Sequence, residues 1–130
     1  MKSAKTILVV EDDFELRRVL CTALEQAGFR TVAAADGAEA LRRLRSGEKA
    51  DMILTNLRMP NMDGFGFREE LAKDAGLAAI PVIVITGVIG EAITKGAAAV
   101  LDVITKPFDL NALVQRIKSH FPAENGNGGM

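Results

Sequence analysis

Two kinds of apolar pattern alternate along the chain. Short runs rich in β-branched residues are typical of strands buried on both faces, and segments with an apolar residue every three or four positions are typical of amphipathic helices. Strands are predicted over 6–10, 29–34, 52–56, 80–86 and 100–104. Helices are predicted over 14–27, between Asp36 and Gly47, over 64–73 and 91–99, and from Asp109 to Phe121.

This β-α alternation predicts the fold class. Strands that alternate with helices form a parallel sheet with right-handed crossovers, covered by helices on both faces. The order of elements therefore indicates an α/β fold with a doubly wound, five-stranded parallel sheet. The segment 91–99 contains Gly96 and has no apolar stripe, so its helix rests on the alternation alone.

Several polar residues and glycines mark where the helices begin and end. Asp13, Asp36 and Asp109 each precede an apolar stripe and are predicted to cap a helix N-terminus. Asp36 and Glu39 have the spacing of a capping box. Gly28 and Gly47 follow the first two helices, where a left-handed residue closes the last turn.

Composition and charge indicate a single domain and give no sign of a nucleic-acid partner or a membrane span. The chain has 130 residues and 48% hydrophobic residues, which suits one domain over 1–121 with a disordered tail over 122–130. A net charge of −1 gives no argument for nucleic acid or an anionic membrane as partner. No apolar run approaches the roughly 20 residues that span a bilayer, and Cys21 has no second cysteine to pair with. A cytoplasmic location is predicted.

Polar side chains that could take part in chemistry lie at the carboxyl ends of four of the predicted strands. Ligands in open α/β sheets bind just outside the carboxyl ends of the strands. These ends carry Glu11 and Asp12, Asn56, Thr86 and Lys106. Carboxylates are ligands for Mg²⁺, and a hydroxyl with an ammonium suits phosphoryl oxygens. The alternative interpretation is that the acids are a helix cap and solvated side chains, and that Thr86 and Lys106 are ordinary surface residues.

Taken together, these residues resemble the receiver domain of two-component response regulators. The resemblance covers about residues 5–121 and rests on ILVVEDD, NLRMPNMDG, VIVITG and TKPF, in this order. It implies the flavodoxin-like strand order 2-1-3-4-5. It also implies roles for single residues: Glu11, Asp12 and the main-chain carbonyl of Arg58 would bind Mg²⁺, and Thr86 and Lys106 would contact the phosphoryl group.

Three positions depart from the family pattern. Asn56 stands where the family has the aspartate that accepts phosphate, and a carboxamide oxygen is nearly non-nucleophilic. The lost charge should weaken Mg²⁺ binding, and the amide oxygen could still accept from Lys106. Val103 replaces the Tyr or Phe of many receivers, and Ala99–Val100 replaces a Gly-Ala pair.

The resulting hypothesis is a receiver-like domain that cannot be phosphorylated at Asn56 and acts by protein–protein contact. Its implied partner is a sensor histidine kinase or another signalling protein, and a homodimer is left open. An alternative is an ordinary receiver with an engineered Asp-to-Asn block at this position. An enzyme is disfavoured because no phosphate-binding glycine motif has the required spacing, and direct DNA binding because no basic helix is present.

Overall fold

The computed structural model describes residues 4–57, 61–62, 64–87 and 100–121. Its strands are β1 (Thr6–Val10), β2 (Arg30–Ala34), β3 (Met52–Asn56), β4 (Val82–Thr86) and β5 (Asp102–Thr105). Its helices are α1 (Phe14–Gln26), α2 (Gly37–Arg45), α3 (Gly64–Ala72), α4 (Ala75–Ala78) and α5 (Leu110–Ser119). None of the helices described has the length and apolar character needed to cross a membrane.

The five strands form one parallel sheet in the order β2-β1-β3-β4-β5, which confirms the predicted fold class. The register aligns the carboxyl ends of the strands. Val10 pairs with Thr55 of β3, and Thr86 pairs with Thr105 of β5. The residues that follow these pairs therefore meet along one edge of the sheet.

The buried core consists of two layers, one on each face of the sheet. Successive residues of a strand point to opposite faces, so β1 sends Leu8 and Val10 to one layer and Ile7 and Val9 to the other. The first layer packs against α2 and α3, and the second against α1 and α5. Helices therefore cover both faces, as the continuous apolar strands predict.

The predicted helix caps are confirmed. Asp13 accepts hydrogen bonds from the main-chain N–H groups of Glu15 and Leu16, and Asp36 and Asp109 cap α2 and α5 in the same way. Gly28 and Gly47 have φ values of 102° and 109°, a conformation that a side chain would strain. Glu39 differs slightly from a capping box, because it accepts from the N–H of Ala35 rather than that of Asp36.

Some predicted boundaries were wrong. The last strand begins at Asp102 rather than Val100, since Val100 packs against the core beside α2 and α3 without entering the ladder. The fourth strand begins after Pro81, which has no N–H to donate. The short α4 was not predicted; Asp74 caps it. The predicted helix over 91–99 and the predicted tail over 122–130 lie outside the described residues.

Candidate functional site

The predicted site residues that the structure describes lie at the carboxyl edge of the sheet. Glu11 follows β1, Asn56 ends β3, Thr86 ends β4 and Lys106 follows β5. The main-chain N–H of Lys106 donates to the carbonyl of Thr86 at 2.8 Å, which ties the last two strand ends together. Glu11, Asn56 and Thr86 are buried and Lys106 is half-buried. We call these four residues the pocket.

A hydrogen-bonded pair lies at the centre of the pocket. The amide nitrogen Nδ2 of Asn56 lies 3.2 Å from both carboxylate oxygens of Glu11. Only 8% of Asn56 and 2% of Glu11 are exposed. Oε2 of Glu11 also accepts from the main-chain N–H of Asp13 at 3.0 Å. Neutral donors thus satisfy this carboxylate, as a buried polar group requires.

The pKa of Glu11 shows that these donors do not neutralise its charge. Burial raises the pKa of Glu11 above its ordinary value, and the hydrogen bonds from Asp13 and Asn56 oppose that rise. The neighbouring Asp12 raises this pKa further, while the positive charge of Lys106 lowers it. The raised pKa means that the pocket compensates the charge of Glu11 incompletely. Such a carboxylate is suited to bind a cation.

The three consecutive acids have different roles. Glu11 is buried in the pocket, Asp12 is exposed, and Asp13 caps α1. The interpretation as a helix cap is therefore correct for Asp13 and wrong for Glu11. Arg17 was not among the predicted site residues; its Nη1 donates to the main-chain carbonyl of Glu11 at 2.7 Å. Its place on the first turns of α1, beside the strand end, was the available signal.

The donor set fits Mg²⁺ in part. Mg²⁺ binds one or two carboxylates and keeps several waters, and the side chains of Glu11 and Asp12 can supply those carboxylates. Arg58, the third predicted ligand, lies outside the described residues. Across the described part of the chain, no group of three or more His, Cys, Asp or Glu side chains forms a metal site. The amide of Asn56 already holds Glu11, so a metal ion would have to displace it.

A second polar cluster, which was not predicted from the sequence, lies around Asp102 at the opposite edge of the sheet. Asp102, at the start of β5, accepts from Nε of Arg116 at 2.6 Å, and Nε2 of His120 lies 2.9 Å from it. The guanidinium of Arg116 lowers the pKa of Asp102 to about 2, although burial opposes this, and His120 contributes. The neighbouring Val103 is half-buried and packs against the core beside α2 and α3.

The comparison with protein families agrees with this arrangement. A sequence model described as the response regulator receiver domain matches residues 7–118. The chain belongs to the response regulator receiver domain family. The family resemblance predicted from the motifs is thereby confirmed.

Curated relatives of this receiver domain are transcriptional regulators. It is 38% identical over 117 residues to a protein of Cyanophora paradoxa described as "Probable transcriptional regulator ycf27", a match that covers 88% of this chain and 47% of the relative. It is 38% identical over 121 residues to the "C4-dicarboxylate transport transcriptional regulatory protein DctD" of Rhizobium meliloti (strain 1021), covering 88% of this chain and 25% of that protein. The receiver domain thus spans half or less of these relatives.

Solved structures show the same fold. The chemotaxis protein CheY4 of Vibrio cholerae superposes with a TM-score of 0.83 at 24% identity, covering 92% of this chain and all of that one. The receiver domain of the sensor histidine kinase PA1611 from Pseudomonas aeruginosa PAO1 superposes with a TM-score of 0.76 at 29% identity, covering 88% and 94% of the two chains. That structure is described as having a magnesium ion coordinated in its active site cleft.

Proposed function

We propose that this receiver domain works in two-component signal transduction by protein–protein contact and does not accept phosphate at Asn56. The observation that carries the proposal is the amide of Asn56, whose Nδ2 lies 3.2 Å from both oxygens of Glu11. An acyl phosphate forms when a carboxylate oxygen attacks phosphorus. The side chain at position 56 has no such oxygen, and its amide faces the acid that would hold the metal.

The same hydrogen bonds explain why Mg²⁺ should bind weakly or not at all. When bound in a receiver pocket, the ion neutralises the oxygens of the phosphoryl group. Here the amide of Asn56 takes the place beside Glu11 that such a cation would occupy. Replacing a carboxylate by Asn56 also removes one negative charge from the site. Glu11 and Asp12, with the main-chain carbonyl of Arg58, remain the residues that would hold the ion.

The proposed function therefore depends on surfaces that bind another protein rather than on catalysis. We propose no enzymatic activity, a cytoplasmic location, and a partner that is a sensor histidine kinase or another signalling protein. The curated relatives support a signalling role, because they are described as transcriptional regulators. Direct binding to nucleic acid is not proposed, since the chain has a net charge of −1. A homodimer is the alternative partner.

One observation favours a second candidate function. Glu11, Thr86 and Lys106 lie at the same edge of the sheet as Asn56, and a phosphorylatable pocket would use these residue types there. The second candidate is thus an ordinary receiver in which an Asp-to-Asn change at this position is an engineered block. In that case the remaining pocket would regain its chemistry when the carboxylate is restored.

The experiment is intact-mass spectrometry after incubation with Mg²⁺ and acetyl phosphate. The native chain and Asn56→Asp are compared, with Asn111→Asp on the exposed face of α5 as the matched control. The native chain and the control should gain no phosphoryl group. Gain by Asn56→Asp alone supports the second candidate, and no gain by any chain supports a dedicated binding module. A phosphoryl group on the native chain would overturn both.

A further inference from the structure

The loop that leaves Asn56 is tied to the N-terminus of α2. Nδ2 of Asn61 donates to Oδ2 of Asp36 at 2.7 Å. The main-chain N–H of Gly37 donates to the carbonyl of Met62 at 3.2 Å. We call these four residues the loop clamp. Its two bonds join segments that are 25 residues apart in the sequence.

The loop clamp closes a ring of contacts that includes the pocket. The main-chain N–H of Glu11 donates to the carbonyl of Ala34 at 3.0 Å, two residues before Asp36. The side chain of Glu11 accepts from Asn56, and the chain runs from Asn56 to Asn61. Asn61 then returns to Asp36. The path is covalent between these residues and hydrogen-bonded where it crosses from one segment to the next.

The loop clamp leaves no room for a side chain at Gly37. A Cβ at Gly37 would lie 2.9 Å from the carbonyl oxygen of Met62 and 2.9 Å from Cβ of Phe67. Cβ atoms in proteins essentially never come this close to backbone. A side chain here would therefore push away Met62 or Phe67.

Asp36 and Asn61 are also suited to this contact chemically. The other carboxylate oxygen of Asp36, Oδ1, accepts from the main-chain N–H of Glu39 at 2.8 Å, so one side chain both caps α2 and holds the loop. Asn61 has a φ of 66°, a left-handed conformation in which Asn is favoured over most residues. The hydrogen bond from Asn61 lowers the pKa of Asp36, so the bond involves an ionised carboxylate and is charge-assisted.

We propose that Asp36, Gly37 and Asn61 are positioning residues that hold the loop after Asn56 and, through it, the amide of Asn56 against Glu11. None of the three belongs to the pocket; they act through the ring of contacts. The inference rests on the pocket of the proposed function, but it does not depend on whether position 56 accepts phosphate.

The first test is NMR on the native chain labelled with ¹⁵N. The side-chain NH₂ of Asn56 and the main-chain N–H of Leu57, which donates to Ile85 at 3.1 Å, report on the pocket. Gly37→Ala should shift both signals. The matched control is Gly76→Ala in α4, where a Cβ would lie at an ordinary distance of 3.5 Å from Asp74. The control should leave both signals in place.

Two milder variants keep the test decisive if Gly37→Ala does not fold. Asn61→Gly keeps the left-handed backbone and removes the amide. Asp36→Ser keeps a capping oxygen for α2 but shortens the reach to Asn61. Each should shift the Asn56 and Leu57 signals, and the double variant should add little because both remove the same bond. Unchanged signals in both single variants would overturn the proposal.

A functional measurement separates positioning from a general loss of stability. In an Asn56→Asp background, the rate of phosphoryl gain from acetyl phosphate is followed by intact mass. If that background accepts phosphate, Asn61→Gly should slow it about tenfold, because small misplacements of reacting groups cost large factors in rate. Gly76→Ala in the same background should leave the rate of phosphoryl gain unchanged. Equal rates for the Asn61→Gly and Gly76→Ala variants would overturn the proposal. Phosphate on the native chain would instead overturn the proposed function and leave the NMR result standing.

Discussion

Two buried or nearly buried carboxylates at opposite edges of the sheet have different partners. Glu11, at the carboxyl edge, is held by neutral donors: the amide of Asn56 and the main-chain N–H of Asp13. Asp102, at the amino edge, contacts the guanidinium of Arg116 and the imidazole of His120. The two clusters contain similar numbers of hydrogen bonds and differ in the charge of the donors.

The difference in charge moves the two pKa values in opposite directions. Burial raises the pKa of Glu11, whereas Arg116 lowers that of Asp102 to about 2 despite some burial. Neutral donors satisfy hydrogen bonds but do not cancel charge, so the charge of Glu11 stays incompletely compensated. The guanidinium of Arg116 donates hydrogen bonds and also neutralises charge, so the charge of Asp102 is compensated within its own cluster. The comparison distinguishes a carboxylate whose charge is incompletely compensated from one that is paired with a cation.

The largest expected effect comes from changing the donor beside Glu11 into a second carboxylate. Asn56→Asp places like charges in contact in a buried site, and without divalent ions it should lower the free energy of unfolding by about 2–3 kcal/mol. Mg²⁺ should recover most of this loss, because the ion supplies the missing positive charge. The measurement is urea unfolding with and without Mg²⁺.

The native chain is the control for this variant, and its stability should change little when Mg²⁺ is added. Asn56→Ala removes the donor without adding charge, so it should also be destabilised but gain little from Mg²⁺. If Asn56→Asp were equally unstable with and without Mg²⁺, the expectation that Glu11 binds the ion beside a second carboxylate would be wrong.

A smaller effect is expected at the opposite edge. Asp102→Asn keeps the shape and one acceptor but removes the charge, and it should lower the free energy of unfolding at pH 7 by about 1–2 kcal/mol. This is less than the full pKa shift implies, because half of the Arg116 side chain is exposed and water screens the pair. Mg²⁺ should not affect this variant.

The pH dependence of the same variant gives a sharper test. A carboxyl whose pKa is lowered by folding stabilises the native state above its unfolded pKa, near 3.8, and that contribution disappears as the pH falls through about 2. The stability difference between the native chain and Asp102→Asn should therefore be constant from pH 7 to about 5 and shrink between about 4 and 2. A difference independent of pH would show that the charge of Asp102 contributes nothing.

The smallest effect is expected at His120. The side chain is 24% exposed and shares Asp102 with Arg116, so His120→Ala should cost about 0.5 kcal/mol. In a double-mutant cycle, His120→Ala should lower the free energy of unfolding less in the Asp102→Asn background than in the native chain, because Asp102, the partner of His120, is already changed there. Lys118→Ala, on the exposed side of α5, is the control. Full additivity of His120→Ala with Asp102→Asn would mean that the contact contributes no energy.

Local patterns in the sequence were enough to predict the five strands and the caps of α1, α2 and α5, but not α4 or every strand boundary. The caps Asp13, Asp36 and Asp109 and the closing Gly28 and Gly47 interact within a few residues of themselves, so their roles can be inferred from neighbouring residues. The continuous apolar strands likewise predicted the two-layer core, because strand residues alternate between faces wherever the sheet lies.

The same patterns also predicted which polar side chains lie at the carboxyl edge of the sheet. Because all strands of a parallel sheet end at one edge, the residues at their carboxyl ends lie there, as Glu11, Thr86 and Lys106 do. The boundary of β5 could not be predicted in this way. Whether Val100 joins the ladder depends on the register with β4 and not on its own apolar character.

What only the tertiary structure decided is which polar groups face one another across the fold. The amide of Asn56 turns to Glu11, 45 residues away, and Asn61 reaches Asp36, 25 residues away. Asp102 meets residues one helix later in the chain. These contacts depend on strand register, loop path and helix docking together, and hydrogen bonds tolerate only a few tenths of an ångström of error. A one-dimensional pattern predicts where such groups lie, but their pairing requires the packed molecule.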